Sequence, residues 1–574
     1  MKKQFIYALS ALLAVGFSSC EDLLTENPDS SYKKEQFFTT EGNAQMAITG
    51  IYDSFAKLEH YGQFEMAMPS SDDTYYINGT GTDNTRRDIS HYMVKTTNTW
   101  IQNIWDYKFQ GIDRANYAID GIESMEGYKE NTKLVSLVAE ARFLRAFLAF
   151  DLVKYWGDVP FKTVYTASYE EAFQPRTGRE AIYDQIISDL DFAKNNLPWS
   201  NAASSPEKAN QGAARALLMR VLLQRAGYSL QMDGTMTRPD DAKREKYFKA
   251  VLTEWQAFED NGYHYFNKEG GEDKTGKEIG SYEQLFRNFS NGNLDSKESI
   301  FEIAFYTPDG NKEDASNWGT YIGPLVDAPV IKTSEAKNFM GRANAFFRVV
   351  TDWKKFFEDT DQRRDVMVCT YDMKWNKEAY NHVKTEVAEK KGWYPGKWRR
   401  EWMPIGYNEP NNVNVNFCPI RYADVVLMAA EAYNETNNSP EAWNLINRVR
   451  TRAKATPITS ANYATLLKAP KVYDLPFISD ADEKGKVRTA LYWERGFELA
   501  FEGQRKFDLI RWNILPEALT LFGTKATVNK NLADDKKPYP AYLNFTKGQH
   551  ELFPIPLDEM QSNAKLENKN NPKY

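Results

Sequence analysis

The sequence predicts a mostly α-helical protein, in which antiparallel helical hairpins form a scaffold and an irregular, loop-rich lobe contains short strands. Three observations support this fold class. Apolar residues recur at helical spacing in several long stretches. Those stretches are separated by Gly, Pro and Asn, and residues 262–420 lack this helical periodicity. With 574 residues, 42% of them hydrophobic, the chain is long enough to bury a sizeable core.

The helical periodicity predicts individual helices in both halves of the chain. The clearest ones cover residues 132–155, 179–196, 211–226, 423–433 and 443–453. Before the last of these, Ser439-Pro440-Glu441 is a favourable helix start, because it offers a capping side chain, Pro at the first position and an acid in the first turn. The helical pairs resemble tetratricopeptide-type hairpins, although no strict repeat of about 34 residues is visible.

The start of the chain predicts export and anchoring. A short positive segment precedes an apolar run over residues 5–17, and small residues then lead to Cys20. This pattern is typical of a signal peptide, over residues 1–19, with a bacterial lipoprotein cleavage box. We therefore expect Cys20 to carry lipid and residues 20–31 to form a polar tether. An ordinary secreted protein with an unmodified cysteine is the alternative.

Composition divides the remaining chain into three parts. Residues 32–261 are predicted to form an N-terminal helical scaffold, residues 262–420 the irregular lobe, and residues 421–574 a C-terminal helical region. A strand-like run occupies residues 300–306 of the lobe. No segment after the signal peptide has about 18 unbroken apolar residues, so no membrane-spanning helix is expected.

Charge and composition exclude several classes of function. Lys plus Arg number 72 against 79 Asp plus Glu, and the resulting charge of −7 argues against a nucleic-acid partner. The three Cys and five His residues have no zinc-site spacing, so we expect neither a metal site nor a cofactor. Acidic loops leave structural calcium open, although no EF-hand spacing is present. Cys369 and Cys418 leave a disulfide open.

A set of short sequence motifs, taken in their order along the chain, resembles the motifs of a known family. They begin at Cys20 (CEDLL), Phe37 (FFTT), Glu140 (EARFLRAF), Tyr155 (YWGDVP), Arg421 (RYADVVLMAAEA), Ile446 (INRVR), Glu494 (ERGFELAFEGQR), Pro554 (PIP) and Asn571 (NPKY). Taken together, the set resembles the SusD/RagB family, which consists of surface lipoproteins that capture nutrients, commonly glycans, beside a TonB-dependent transporter. Two departures, Lys454 and Lys573, stand where the family often has Gly, and they put the local turn geometry in doubt.

The resemblance implies a fold, a location and a function. It implies a SusD-like helical protein that is lipid-anchored in the outer membrane and exposed at the cell surface. There it would capture oligosaccharide or polysaccharide and deliver it to a SusC-like TonB-dependent transporter without cleaving it. Capture of peptides or other nutrients is one alternative. A glycoside hydrolase using Asp72 with Asp73 or Asp83 is another, and a protein-docking scaffold with buried loop aromatics is a third.

The candidate ligand-binding residues are aromatic and polar side chains in predicted loops. Aromatic planes bury the flat faces of sugars, while Asp, Asn and Arg exchange hydrogen bonds with the hydroxyls. Residues 72–87 are the most suggestive stretch and include Arg86 and Arg87. The candidates are Asp73, Tyr75, Tyr76, Asn78, Trp100, Trp318, Tyr321 and Trp375. In the family, ligand-holding aromatics come from such loops. Each residue has the alternative role of packing on its neighbours.

Two charged groups are open to a structural and a functional interpretation. Charged residues recur every three or four positions over residues 495–511. They form either an ion network that braces helices or a catalytic pair of Glu498 and Glu502, and the flanking Arg and apolar residues favour the ion network. Three Trp and five Lys or Arg residues alternate over residues 390–402. These side chains meet a transporter or an anionic ligand in one interpretation and form cation–π contacts in the other. Trp105, Trp156, Trp443 and Trp512 lie in helical or motif segments and are assigned to the core.

Overall fold

The structure, a computed structural model, describes most of the chain beyond the predicted tether. The described residues are 34–67, 71–76, 81–273, 275–307, 313–327, 340–404, 411–466, 479–524 and 540–574. The signal peptide, Cys20, the tether and the candidate Asn78 lie outside them.

Long helices dominate the described residues and confirm the predicted fold class. The helices of seven or more residues are α1 (Glu41–Phe55), α2 (Thr99–Glu123), α3 (Thr132–Trp156), α4 (Arg179–Asn196), α5 (Gln211–Ala226), α6 (Asp241–Asn261), α7 (Ser281–Asn291), α8 (Tyr422–Glu435), α9 (Ser439–Arg452), α10 (Glu483–Leu499), α11 (Arg505–Arg511) and α12 (Leu515–Thr524). Shorter helical segments are Lys34–Phe37, Phe64–Ala67, Arg86–Ser90, Tyr169–Ala172, Trp353–Phe356, Arg363–Met367, Tyr463–Leu466, Pro540–Asn544 and Leu557–Ser562. All five helices predicted from periodicity are present.

Side-chain caps explain where several helices begin. Asn98, Asn131 and Asp240 each accept backbone N–H hydrogen bonds in the first turn of α2, α3 and α6. The capped start predicted at Ser439-Pro440-Glu441 is present, but Asn438 supplies the cap, accepting from the Glu441 N–H at 3.4 Å. As a result, α9 begins four residues before the predicted position 443.

The long helices pack as neighbouring antiparallel pairs around a common core. In the N-terminal half, α3 packs against α2 and α4, and α5 packs against α4 and α6. In the C-terminal half, α8 packs against α9 and α10, and it also contacts α6. One buried apolar cluster extends from Phe38 to Leu566 and thus includes both halves, while a smaller cluster around Val326 and Met373 lies in the lobe. The division into three parts stays a prediction.

The strands are short and form two-stranded antiparallel sheets. They are β1 (Thr74–Tyr76), β2 (Val159–Pro160), β3 (Arg176–Thr177), β4 (Ser229–Leu230), β5 (Met236–Thr237), β6 (Gly271–Glu272), β7 (Glu278–Ile279), β8 (Ser299–Ile303), β9 (Phe347–Val349), β10 (Val368–Cys369), β11 (Tyr371–Asn376), β12 (Asn381–Glu386), β13 (Tyr394–Pro395) and β14 (Phe417–Arg421). The pairs are β1 with β9, β2 with β3, β4 with β5, β6 with β7, β8 with β14, β10 with β13 and β11 with β12. Strand β8 overlaps the predicted run at 300–306, but it starts one residue earlier and ends at Ile303.

No helix in the described part of the chain is both long enough and apolar enough to span a membrane. The four Trp residues assigned to the core, Trp105, Trp156, Trp443 and Trp512, are all buried.

Candidate functional site

The stretch around β1 is buried, contrary to the expectation of a solvent-facing binding loop. Asp72 accepts two hydrogen bonds from the Arg505 guanidinium, at 2.7 and 2.8 Å, in the interior of the protein. Asp73 accepts from the hydroxyls of Ser71 and Thr74. Burial raises the pKa of Asp73 to about 6, the charge of Asp72 adds to the rise, and Arg505 opposes it. Both carboxylates are therefore structural anchors of this strand.

Tyr75 and Tyr76 are also buried, because they belong to a strand pair. In the antiparallel register of β1 and β9, Tyr75 lies opposite Arg348 and Tyr76 opposite Phe347. Strand β9 comes from the lobe, more than 250 residues further along the chain. The lobe thus covers the aromatic side chains that the sequence had suggested for ligand contact.

Trp318 is a core residue. Its indole ring stacks on Phe417 with a centroid distance of 4.7 Å and an interplanar angle of 3°. Its Nε1 donates a hydrogen bond to the Tyr61 carbonyl at 3.2 Å, so the polar edge of the ring is also satisfied inside the protein. The structure therefore shows Trp318 in the alternative role given for each candidate, packed on its neighbours.

Three of the candidate aromatics nevertheless converge on one cation. The Arg86 guanidinium carbon lies 4.0 Å from the ring centroid of Phe346, 5.2 Å from Tyr321, and 5.9 Å from both Tyr76 and Trp100. These distances are within the range of cation–π attraction. We call these five residues the Arg86 cluster.

The rings of the cluster also contact one another. Tyr76 and Phe346 stack at 5.8 Å with an interplanar angle of 17°, and Tyr321 meets Phe346 edge to face at 4.8 Å. A backbone hydrogen bond of 2.8 Å from the Phe346 N–H to the Tyr321 carbonyl holds the two lobe segments together. The aromatic surface is therefore formed in advance of any ligand.

Local hydrogen bonds position the remaining two members of the cluster. The Asn98 side-chain oxygen accepts from the Trp100 N–H at 3.1 Å as the cap of α2, while its Nδ2 donates to the Thr85 carbonyl at 3.0 Å. Thr85 immediately precedes the short helix Arg86–Ser90, so one asparagine fixes both Trp100 and Arg86. The sequence signal for this arrangement is an ordinary helix cap.

The cluster has a buried base and a partly exposed face. Trp100 is 7% exposed and Tyr76 is 2% exposed, whereas Arg86, Tyr321 and Phe346 are partly exposed. The buried Nε of Arg86 has no hydrogen-bond partner among the described residues. The accessible face therefore offers two aromatic rings and a guanidinium donor, which are groups that can pack on a sugar ring and donate to its hydroxyls.

Sequence reasoning missed Phe346 and did not include Arg86 among its site residues. Arg86 had been noted in the 72–87 stretch, but nothing local distinguished it from Arg87, which donates to the Gly81 carbonyl at 3.2 Å. Phe346 lies just before β9 in the irregular lobe, where no periodicity marks a position. Only the pairing of β1 with β9 brings it to the cluster.

Trp375 is partly exposed but does not belong to the cluster. It lies on β11, not in a loop as the sequence suggested, and its ring meets His382 edge to face at 5.1 Å across the β11–β12 hairpin. Its backbone N–H donates to Asp327 Oδ1 at 2.7 Å.

The basic and aromatic residues near position 400 pack in the interior. Trp398, Trp402, Arg399, Arg400 and Lys397 are buried, and the Arg399 guanidinium lies 4.6 Å from the Trp402 ring centroid. This is the cation–π alternative of the sequence analysis. The exposed charges of that stretch are Lys390 and Lys391.

The charged stripe on α10 is an ion network, as the structural interpretation predicted. Glu498 is buried, and Arg421 donates to it at 2.7 Å and Arg363 at 3.2 Å. Glu502 accepts from Arg421 Nε at 2.6 Å and also pairs with Lys397. Both carboxylates are thus paired with cations in the interior of the protein.

The described cysteines and potential metal ligands can be located in the structure. Cys369 and Cys418 are both free and buried, so the disulfide that the sequence left open is absent. Within the described ranges, no group of three or more His, Cys, Asp or Glu side chains is arranged to hold a metal ion.

Two family models match complementary parts of the chain. The model described as "SusD family" matches residues 297–574, and the model described as "Starch-binding associating with outer membrane" matches residues 22–223. Among curated proteins, the chain is similar to SusD-like protein P2 of Formosa agariphila, with 27% identity over 100% of both chains.

Solved structures share the fold over almost the whole chain. A SusD homolog from Bacteroides thetaiotaomicron superposes with a TM-score of 0.75 and 25% identity, covering 94% of this chain and 98% of that one. Surface glycan-binding protein A from the same species, solved in complex with laminarihexaose, superposes with a TM-score of 0.63 and 18% identity, covering 93% and 100%. The ordered motifs, the helical scaffold and these matches lead to one conclusion: the chain belongs to the SusD/RagB family.

Proposed function

We propose that this protein captures a glycan at the outer surface of the bacterial outer membrane and delivers it to a TonB-dependent transporter. One observation carries the proposal. Tyr321 and Phe346 present partly exposed rings beside the Arg86 guanidinium, on a base formed by buried aromatic side chains. Rings of this kind bury the C–H faces of sugars, and a guanidinium donates directional hydrogen bonds to hydroxyls.

The relatives support glycans over other nutrients. One matched family is described as starch-binding, and the related surface glycan-binding protein A was solved with a bound laminarihexaose. Peptide capture remains the alternative ligand class, and the binding experiment below includes it.

Capture without cleavage follows from the state of the carboxylates. A glycoside hydrolase needs two carboxyl groups about 5–10 Å apart that face the scissile bond. Asp72 and Asp73 are buried, and Asp72 is bound to Arg505, so Asp72, which both pairs suggested from sequence require, does not face solvent. We therefore infer that the protein is not an enzyme.

We infer the transporter partner from the family resemblance, and we infer the lipid anchor from the resemblance and from Cys20. A diacyl or triacyl cysteine holds a protein at a membrane durably, because each buried CH₂ contributes about 0.8 kcal/mol. A matched family is named for its association with the outer membrane, which agrees with this location. We infer that the tether at residues 20–31 gives the binding face its reach above the membrane.

The proposal can be tested by calorimetric titration of the chain starting after Cys20. The panel contains neutral polysaccharides, their oligosaccharides and peptides, and each mixture is assayed for released reducing ends. We expect binding of at least one glycan without products, and an affinity about fivefold lower or more in Tyr321→Ala, since a stacked ring contributes on the order of 1 kcal/mol.

Tyr169→Ala is the matched control for the loss of a ring. Tyr169 is 73% exposed and lies on the short helix Tyr169–Ala172, which contains no member of the Arg86 cluster. Its replacement is expected to leave glycan affinity unchanged. Released reducing ends would overturn the non-catalytic function, and peptide binding that depends on Tyr321 would replace the glycan by a peptide ligand.

The docking-scaffold hypothesis predicts that the protein binds no small ligand. It requires buried loop aromatics, and Tyr75, Tyr76, Trp100 and Trp318 are indeed buried. Tyr321 and Trp375 are partly exposed, which favours ligand contact. Equal binding of the transporter by wild-type and Tyr321→Ala protein, with no heat from any glycan or peptide, would favour the scaffold.

A further inference from the structure

A second cleft lies far along the chain from the Arg86 cluster and shares no residue with it. It has a volume of about 630 Å³ and lies between the C-terminal part of α9 and the segment that follows α6. This volume is in the range of small-molecule sites, which is roughly 300–1,000 Å³.

The walls of the cleft are positively charged. Lys268, Arg448, Arg452 and Lys454 line it, and none of its described lining residues is a carboxylate. The chain as a whole has a net charge of −7, so this concentration of cations runs against the overall composition. A concave surface with one sign of charge attracts ligands of the opposite sign.

Two of the four cations are held by carboxylates from outside the cleft. The terminal nitrogens of Arg452 pair with Glu298 and Glu498 in the interior, and Arg448 pairs with Glu259 at 3.0 Å. Within the described part of the chain, Lys268 and Lys454 form no salt bridge, and both are exposed. These two ammonium groups are available to a ligand.

The base of the cleft is rigid. The Arg452 guanidinium lies 4.8 Å from the ring centroid of Phe266 and 4.9 Å from that of Tyr282, and its side chain is almost fully buried. The Arg452 Nε is buried and has no hydrogen-bond partner among the described residues. Arg448 donates to the Tyr422 hydroxyl at 2.7 Å, which fixes the adjoining wall.

An exposed aromatic ring completes the cleft. Tyr265 is 45% exposed at the mouth, beside the Phe266 and Tyr422 walls, and the exposed Asn444 adds an amide. An accessible ring with lysines and an amide around it suits a ligand that has both an apolar ring face and an anionic group. Sugars with a carboxylate or a sulfate ester combine these features.

We propose that this cleft binds an acidic saccharide unit, with its ring against Tyr265 and its anionic group between Lys268 and Lys454. The proposal rests on the proposed capture of glycans, since that function brings saccharide chains to this surface. It adds a charge-selective site that the Arg86 cluster does not supply.

Calorimetric titration with matched saccharides tests the proposal. The probes are trigalacturonate, a sulfated κ-carrageenan tetrasaccharide, neutral cellotriose, and citrate as an anion without a sugar ring. We expect at least one acidic saccharide to bind the wild type more tightly than cellotriose or citrate do. Its affinity should fall when NaCl is raised from about 50 mM to about 300 mM, since salt screens the attraction.

Variants then assign the binding to the cleft. The double variant Lys268→Gln/Lys454→Gln is expected to weaken binding of the acidic saccharide about tenfold or more, because it removes the charge-assisted hydrogen bonds to the anionic group. The single variant Tyr265→Ala is expected to weaken it about fivefold or more, because the sugar ring loses its aromatic contact. Lys243→Gln/Lys246→Gln is the control. It removes the same charge from two exposed lysines on α6, outside the cleft, and should leave the affinity unchanged.

The outcomes separate this proposal from the proposed function. If neither acidic saccharide binds, if citrate binds as tightly, or if the double variant and its control behave alike, the cleft proposal is wrong. Failure of glycan capture at the Arg86 cluster would give a different result. Tyr321→Ala would then change the affinity for no glycan, while the cleft variants would still lower the affinity for the acidic saccharide.

Discussion

Two lysines occupy backbone conformations that usually favour glycine. Lys454 has a φ of +55° and Lys573 a φ of +68°, and these are the two positions at which the sequence departs from the family pattern. Lys454 directly follows the end of α9, where its N–H donates to the Thr451 carbonyl and the Ala455 N–H donates to the Arg450 carbonyl. The turn therefore forms without glycine, at the cost of a left-handed residue with a Cβ atom.

Replacing Lys454 by glycine should stabilise the protein. We expect Lys454→Gly to raise the free energy of unfolding by about 1 kcal/mol, because glycine adopts positive φ without steric cost. Urea unfolding followed by tryptophan fluorescence measures the difference. Lys246→Gly is the control, since it lies inside α6 and should lower the free energy of unfolding by about 1 kcal/mol. A loss of stability in Lys454→Gly would contradict the strain argument.

At the scale of elements, buried ion pairs on α10 connect the C-terminal helices with the lobe. Glu498 on α10 pairs with Arg452 on α9, with Arg421 at the end of β14, and with Arg363 in the lobe. Burial alone would raise the pKa of Glu498, but these three guanidiniums together lower it to about 2. One carboxylate thus connects three elements, and it shares their cations with Glu298, Glu502 and Glu494.

Removing the charge of Glu498 should be costly. We expect Glu498→Gln to lower the free energy of unfolding by about 3–5 kcal/mol, because it leaves buried guanidiniums partly uncompensated. Glu245→Gln removes an exposed carboxylate paired with Lys249 on α6, and it should leave the free energy of unfolding nearly unchanged, because solvent screens the pair. Urea unfolding of both variants measures the contrast. Similar small losses in the two variants would contradict a bracing role for the network.

At the scale of the whole molecule, hydrogen bonds join the end of α3 to the C-terminal segment. The Trp156 indole donates to the Pro554 carbonyl at 2.9 Å, and Asn571 Nδ2 donates to the Trp156 carbonyl at 2.9 Å and to the Phe553 carbonyl at 2.7 Å. These residues belong to three of the motifs that carried the family resemblance. The motifs are far apart in sequence, yet they form one interface between the N-terminal and C-terminal halves.

The same interface contains a lysine that should make global stability depend on pH. Lys506 is buried between Tyr92 and Phe553, and burial lowers its pKa from 10.5 to about 7, with Glu551 opposing the shift. Between these two pH values the unfolded chain binds more protons than the folded one. The contribution of Lys506 to stability therefore increases as pH rises from about 7 towards 10.5.

Lys506→Met tests this dependence. We expect the variant to be more stable than the wild type at pH 7 by on the order of 2 kcal/mol, because no ammonium group has to be desolvated. The advantage should shrink as pH rises to about 9. Urea unfolding at several pH values measures both effects, with Lys246→Met as the exposed control. A pH-independent difference between Lys506→Met and the wild type would contradict the assigned titration.

The predictable part of the fold was set by short-range signals. Helices α4 and α5 have the predicted bounds, because their apolar spacing and their Gly or Pro stops act over a few residues. The candidate site was predictable only in part. Tyr76, Trp100 and Tyr321 do meet, but Phe346 lies in an irregular segment without periodicity, and its place depends on the pairing of β1 with β9.

The sequence by itself determined the helical scaffold, the family and the chemical type of the residues offered for binding. Only the tertiary structure decided which of those residues face solvent. The sequence placed Asp72 in a loop, yet its carboxylate is buried and accepts a hydrogen bond from Arg505, 433 residues away. Burial of this kind depends on long-range pairing that no local pattern encodes. The same long-range pairing decides that Tyr321 and Phe346 are partly exposed while Tyr76 and Trp100 are buried beneath them.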